Sequence, residues 1–307
     1  NEILWKHLLL VIHGMGVNFN GYTDFVDSVD TLKKNINGKN LEENAIECVP
    51  IIWFDINKSF KSPIRAINET NAANKVFPFM TRIIHDMLSD ILLFKTEASK
   101  MLIFTTVLNR MNTTVENFKT INPYFKGTIN ICAHSLGAVI MTEILLHSAT
   151  PRIIKFKPNA FFSMGGPIML FLEFEEILFW KRNFKFPLID KFINIYYVGD
   201  FLAYKFKKHI ADNETELTRT IGKKKQTIKL PNKDIYGSLN NGYPVDRKIK
   251  IRGIKKLAYL FRLFHYGVAH FKYWNSKNCG KTILNTIVIN HTEEKCTFDD
   301  SSTHTVF

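Results

Sequence analysis

Ser135 occupies the stretch of this 307-residue chain best suited to covalent chemistry. It lies in Ala133-His134-Ser135-Leu136-Gly137, with an apolar run (Ile129, Ile131, Cys132) before it and a helix-forming run from Ala138 to Leu146 after it. A serine hydroxyl is a poor nucleophile at neutral pH. It needs a histidine base within hydrogen-bond reach, and that base needs an acid to fix its tautomer and stabilise the imidazolium. Strand, tight turn and helix with serine at the turn is the arrangement of a nucleophile elbow, which lifts the hydroxyl clear of a sheet. Small residues at 133 and 137 allow strand and helix to approach closely. Ala133 replaces the first glycine of that motif. By itself so loose a pattern arises by chance, and its weight comes from the strand and helix around it.

An acyl-transfer site also needs donors for the oxyanion. The early strand Trp5 to Ile12 runs into His13-Gly14-Met15-Gly16. Alone this reads as an ordinary turn; paired with a downstream serine elbow it supplies one backbone N–H, from Met15, with the second from Leu136. The acid is expected downstream of the serine, at the C-terminal end of a strand, where open α/β sheets bind ligands. Asp200 fits best, directly after the strand Phe192 to Val198. Asp246 is the runner-up, at the start of its own strand, and Asp190 precedes a strand and fits least. The base comes later still: His265, His270 and His291 are candidates, with His209 earlier. His270 gains from a loop position and from Phe271, Tyr273 and Trp274 beside it. His134 is expected to point away from the nucleophile by alternation and to serve structure.

The elements that must hold these groups alternate in type. Thr23 to Asn35 has helical spacing, and Ala45 to Phe54 reads as a strand in which Pro50 suggests an edge or a bulge. Phe60 to Asn74 reads as a loop that caps the site, and Lys75 to Asn117 as a long helical region with core-type stripes. After the elbow, Asn159 to Met164 is a buried strand ending in Gly165-Gly166-Pro167, and Ile168 to Trp180 is an apolar helix, expected to pack in preference to the alternative of a surface helix meeting lipid or acyl chains. Ala211 to Tyr243 is polar and lysine-rich, the best candidate for a mobile basic insertion (211–243). Val245 to Ile251 reads as a short strand, and Ile254 to Phe264 and Lys277 to Ile289 as helices. The order predicts one domain over 1–307, an α/β fold of the α/β-hydrolase type, with a mostly parallel sheet and helices on both faces.

Composition narrows the partners. A hydrophobic fraction of 46% can bury a large core, and no stretch offers the roughly 18 uninterrupted apolar residues of a membrane span. Cys48, Cys132, Cys279 and Cys296 are scattered without C-x-x-C pairs, so neither a zinc site nor a disulfide framework is expected, and a reducing cytosolic setting is the simplest reading. No cofactor or metal is called for. The formal net charge is +13, with basic residues concentrated after Trp180. That balance suits either a solvated surface or an anionic partner. Nucleic acid is disfavoured because no recognition motif accompanies the charge, and no motif speaks to oligomeric state. The chain begins on Asn1 without a signal peptide, as an excised domain or processed fragment would.

Taken together, several of these stretches resemble the DDHD-domain family, which includes the intracellular phosphatidic-acid-preferring phospholipases A1. They are His13-Gly14-Met15-Gly16, Ala133 to Gly137, Gly165-Gly166-Pro167, Val198-Gly199-Asp200-Phe201-Leu202-Ala203-Tyr204, Val245-Asp246 and His270-Phe271-Lys272-Tyr273-Trp274-Asn275-Ser276. The resemblance covers nearly the whole chain, and its two late motifs are more specific than the serine motif. It implies Ser135 as nucleophile with Asp200 and His270 completing the set, and Asp246 as a second family acid. It also implies a serine-dependent phospholipase acting on acidic glycerophospholipids such as phosphatidic acid. The setting implied is cytoplasmic, peripherally bound to the anionic phospholipid surface of intracellular membranes. Two positions depart from the pattern: Phe201 follows Asp200 where the family has proline, and Asn278 stands at its final acidic position. The alternatives are a non-catalytic phosphoinositide- or phosphatidic-acid-binding module and a neutral-lipid carboxylesterase.

Overall fold

The computed structural model describes residues 4–14, 22–38, 45–53, 94, 96–147, 153–174, 185–206, 216–221, 224–229, 236, 239–250 and 269–288. Their elements run β1 (His7–Ile12), α1 (Tyr22–Asn37), β2 (Ile46–Ile51), α2 (Glu97–Ile121), β3 (Thr128–His134), α3 (Leu136–Leu146), β4 (Pro158–Met164) and α4 (Ile168–Phe174). They continue with β5 (Lys191–Tyr196), β6 (Glu216–Ile221), β7 (Lys224–Lys229), a short 3₁₀ turn (Leu239–Gly242), β8 (Asp246–Lys248) and α5 (Lys277–Val288).

Six strands form one sheet in the order β2-β1-β3-β4-β5-β8, and every neighbouring pair is parallel. This is the α/β-hydrolase-like architecture expected from the alternation of elements. The apolar runs explain it. β1 buries Leu8, Leu10 and Ile12 toward one face and Leu9 and Val11 toward the other, so it is covered on both sides. One face packs against α2, α3 and α4, through residues such as Val107, Ile140 and Met169. The other packs against α1 and α5, through Val29, Leu32, Cys279 and Ile283. Pro50 lies on β2, an edge strand of the sheet, where a missing N–H breaks no ladder.

The strand order reverses at the centre: from β1 the chain steps out to β2, returns to β3 on the other side and proceeds outward. The C-terminal ends of β1 and β3 therefore flank the crevice where such sheets hold ligands. His13-Gly14 leaves β1 there and Ser135 leaves β3.

Several expectations meet a different outcome. The described helix Glu97–Ile121 runs four residues past the expected Asn117, and the strand expected over 245–251 is only Asp246–Lys248. Within 211–243, β6 and β7 pair as an antiparallel hairpin, and Tyr236 and Leu239 lie in the core. Over the described part of 168–180, Ile168, Met169, Phe171 and Leu172 of α4 are buried and Leu170 is exposed. The loop over 60–74, the helical residues 75–93, the segment 175–180, the helix expected over 254–264, and Met15, His209, His265, His291 and Cys296 lie outside the described residues.

Candidate active site

Ser135 carries the backbone signature of a strained turn, with φ 56° and ψ −128°, a conformation an L-residue adopts only when its surroundings enforce it. The enforcement is visible. Its N–H donates to the Met164 carbonyl at the end of β4, and its carbonyl accepts from Ala138 N–H in the first turn of α3. The neighbours leave no room for side chains: a Cβ on Gly14 would sit 2.5 Å from Ser135 Cβ, and one on Gly137 would sit 2.3 Å from the His13 carbonyl oxygen. The turn after β1 and the serine turn are thus pressed together, and Leu136 N–H belongs to the first residue of α3, where no intrahelical acceptor exists.

His13 pins the β1 side of this contact. Its Nε2 accepts from Trp53 N–H at 3.0 Å, so the proton is on Nδ1, which donates to the Gly14 carbonyl at 2.8 Å. Trp53 Nε1–H donates to the His13 carbonyl, and the two rings stack with centroids 4.8 Å apart. The residue that opened the glycine turn in the sequence is therefore a brace between the ends of β1 and β2.

Asp200 lies four residues beyond β5, at the same edge of the sheet. Its Oδ2 accepts from His270 Nδ1 at 2.9 Å and from the Tyr273 hydroxyl at 2.8 Å, and its Oδ1 accepts from Leu202 N–H at 3.0 Å. Burial by itself raises the pKa of this carboxyl. The charge of His270 and the hydrogen bonds from His270, Tyr273 and Leu202 outweigh it, and the group sits below its ordinary value. Asp200 is thus an anion fixed on both oxygens. Gly165, at φ 57° after β4, makes the space: a Cβ there would lie 2.7 Å from Asp200 Oδ2 and 2.8 Å from Tyr273 Cε2.

His270 is buried, with Nδ1 on Asp200 and Nε2 without a hydrogen-bond partner among the described residues. The structure therefore joins Asp200 to His270 and places Ser135 at the same sheet edge, without a hydrogen bond between His270 Nε2 and Ser135. Such contacts are commonly loose in an unliganded site. Met15 is outside the described residues, which leaves Leu136 N–H as the described oxyanion candidate.

His134 lies on the face that alternation gives it, and its structural role reaches the candidate base. It faces the α1/α5 side of the sheet, and His270 packs on that side. Its Nε2–H donates to the His270 carbonyl at 2.8 Å, and the two rings are 4.7 Å apart. Burial, and then the neighbouring His270, push its pKa down to about 3, so the ring is neutral. Tyr273 was legible in the sequence only as an aromatic neighbour of His270. Its hydroxyl donates to Asp200 and accepts from Tyr197 N–H at 3.0 Å, so one side chain ties the acid, the base segment and the end of β5 together. Three-residue spacing after the candidate base was the available signal.

The runner-up acid has other work. Asp246 opens β8 opposite Asn194, in the middle of β5. Its Oδ1 accepts from Asn194 Nδ2 at 2.7 Å and from Phe206 N–H at 3.1 Å. Asp190 is exposed and paired with Lys157 at 3.2 Å. Asn278 is exposed on the first turn of α5, with Nδ2 3.5 Å from the Lys250 carbonyl. Cys48, Cys132 and Cys279 are buried free thiols, and burial pushes the Cys279 pKa up to about 12. Among the described residues no group of three or more His, Cys, Asp or Glu side chains is placed to hold a metal ion, and no helix is long and apolar enough to cross a membrane.

No family model matches the chain. Curated proteins do. A Saccharomyces cerevisiae protein named a probable mitochondrial phospholipase is 25% identical over 254 residues, covering 70% of this chain and 35% of that protein. The triacylglycerol hydrolase DDHD2 of Homo sapiens is 27% identical over 154 residues, covering 45% of this chain and 21% of that protein. An intracellular phospholipase A1 of Caenorhabditis elegans is 25% identical over 151 residues, covering 46% of this chain and 16% of that protein. The chain spans about a third or less of the length of these curated relatives. The mitochondrial label of the fungal relative does not favour the cytoplasmic setting expected from the sequence.

Proposed function

We propose that this chain is the hydrolase domain of a DDHD-type lipid esterase, with Ser135 as nucleophile, His270 as general base and Asp200 as the acid that orients it. The observation that carries the reading is the Asp200–His270 pair. Nδ1 is committed to a buried carboxylate, and Nε2 is the ring nitrogen left to take the serine proton. Ser135 stands at the same sheet edge in the strained turn of an elbow. The names of the relatives support lipid ester hydrolysis as the reaction class.

In the proposed sequence Ser135 Oγ attacks the ester carbonyl carbon while its proton passes to His270 Nε2. Asp200 stabilises the imidazolium through Nδ1–H. The tetrahedral oxyanion accepts from Leu136 N–H and, from the β1 turn, Met15 N–H. Collapse expels the glycerol oxygen, which takes the proton from Nε2. Water, deprotonated by His270, then attacks the acyl-enzyme; Ser135 leaves, recovers a proton from His270, and the fatty acid is released. Nε2 alone handles each proton, because Nδ1 is held by Asp200.

An acidic glycerophospholipid such as phosphatidic acid is the proposed substrate, on the chain's cationic surface and the phospholipase names among its relatives. The setting proposed with it is peripheral attachment to a membrane. A neutral-lipid esterase is the second reading, favoured by the name of the human relative. A purely lipid-binding module has no use for a buried Asp–His pair beside a strained serine. Fatty-acid release from vesicles of phosphatidic acid and from triacylglycerol emulsions, wild type against Ser135→Ala, tests the reading. Loss on the order of 10³-fold or more is expected in the variant on the preferred substrate. Equal release by the two proteins removes Ser135 from the mechanism, and a preference for the emulsion installs the second reading.

A further inference from the structure

The turn that holds Asp200 presents two kinds of surface. Asp200 itself is 5% exposed, yet Val198 and Phe201 on either side of it are 64% and 58% exposed. The turn is fixed by Asp200 N–H donating to the Tyr197 carbonyl at 3.0 Å and by Leu202 N–H donating to Asp200 Oδ1. With the carboxylate aimed inward at His270, the same backbone holds two apolar side chains out to solvent beside the buried acid. Phe201 is also the position at which the chain departs from the Asp-Pro of the family it resembles.

Among the described residues around this turn the exposed charge is cationic. Lys205 lies over the Tyr196 ring at 5.3 Å, at the end of β5. β8 pairs with β5 there, Lys248 against Tyr196, and Ile249 N–H donates to the Tyr196 carbonyl, which brings Lys248 and Lys250 to the same edge. All three lysines are exposed, and none makes an ion pair among the described residues. Asp246 of the same strand spends Oδ1 on Asn194 and Phe206. Apolar side chains flanked by lysines match the layering of an anionic lipid surface, acyl region beneath phosphates.

We infer that the Val198–Phe201 turn, with Lys205, Lys248 and Lys250, is the rim by which the chain seats its candidate site on an anionic lipid surface. The inference rests on the lipid-esterase reading, and it selects one of two candidate faces. At the opposite edge of the sheet Ile121 and Tyr124 are 78% and 81% exposed, beside Lys119 and Lys126. That face is a strand length from Ser135, about 20 Å, too far for a bilayer lying against it to present an ester to the serine.

The test is flotation of the chain with vesicles of phosphatidylcholine alone, or mixed with phosphatidic acid or phosphatidylserine, with thermal unfolding as the check on folding. The Val198→Ser/Phe201→Ser variant is expected to lose about tenfold or more of its binding to both anionic mixtures. Its ratio of vesicle-lipid to water-soluble short-chain ester turnover falls with it. The Ile121→Ser/Tyr124→Ser variant binds as wild type. Wild-type binding by the rim variant, a loss confined to the opposite-edge variant, or equal wild-type binding to neutral and anionic vesicles overturns the inference. Should Ser135→Ala turn over the soluble ester as fast as wild type, the esterase reading fails, and the flotation result stands apart from it.

Discussion

Asp200 follows β5 and Asp246 opens the neighbouring strand β8, and their surroundings give the same side chain two different tasks. Asp200 lies beyond the C-terminal end of β5, where the backbone is irregular and a glycine at φ 57° clears the space around it. Its acceptors face side-chain donors from a segment 70 residues away, the imidazole of His270 and the hydroxyl of Tyr273. Asp246 lies at the start of β8, and its acceptor faces Asn194 and Phe206 N–H. Asn194 Nδ2 also donates to the Tyr204 carbonyl at 2.8 Å. Asp246 therefore clamps residues 204–206, the strand of chain that leaves the Asp200 turn. One carboxylate meets the candidate base; the other holds the turn on which the first depends. Position along the strand decides which.

That contrast can be broken most sharply with Asp200→Asn. It keeps the shape and removes the anion, and activity is expected to fall by about 10⁴-fold while the fold survives. A comparable loss from Asp246→Asn, with stability unchanged, would erase the distinction. Asp246→Ala should act on stability instead, leaving the Asn194 amide and Phe206 N–H without their acceptor at a cost of about 2–4 kcal/mol in urea unfolding.

Between these extremes, Tyr273→Phe strips one donor from Asp200 and the acceptor from Tyr197 N–H. A stability loss of about 1–3 kcal/mol is expected, together with a higher Asp200 pKa. The remaining effect is on pH dependence. Asp200 has a depressed pKa in the fold, so its stabilisation is present above its unfolded pKa and drains away as pH falls through the folded value. His134 is also depressed, to about 3. The unfolded chain takes up its proton first, so stability falls as pH drops from about 6.5 toward 3. His134→Gln should flatten that decline, whereas Asp200→Asn should flatten only the part at and below the ordinary aspartate pKa of about 4. Urea midpoints measured across this range distinguish the two, and identical profiles would show that neither group titrates as assigned.

The serine turn was the most legible part of the molecule. A run of apolar, β-branched residues entering a small-residue turn and leaving as a helix is a local pattern, and β3 and α3 meet at Ser135 where that pattern places the turn. The alternation of β-type and α-type runs likewise determined a parallel sheet, because parallel strands buried on both faces read as continuous apolar stretches. The sequence also held Asp200 and His270 as leading candidates among several, on their places at a strand end and in an aromatic-flanked loop.

Only the tertiary structure decided the rest, since a hydrogen bond between residues far apart in sequence leaves no periodic trace. It joined Asp200 to His270, turned Asp246 to the support of residues 204–206, and made Tyr273 a brace rather than one more packed ring. His134 shows the limit of counting faces along a strand. Alternation gave the side of the sheet on which it lies, but the neighbour waiting there, His270, arrives from 136 residues further along the chain.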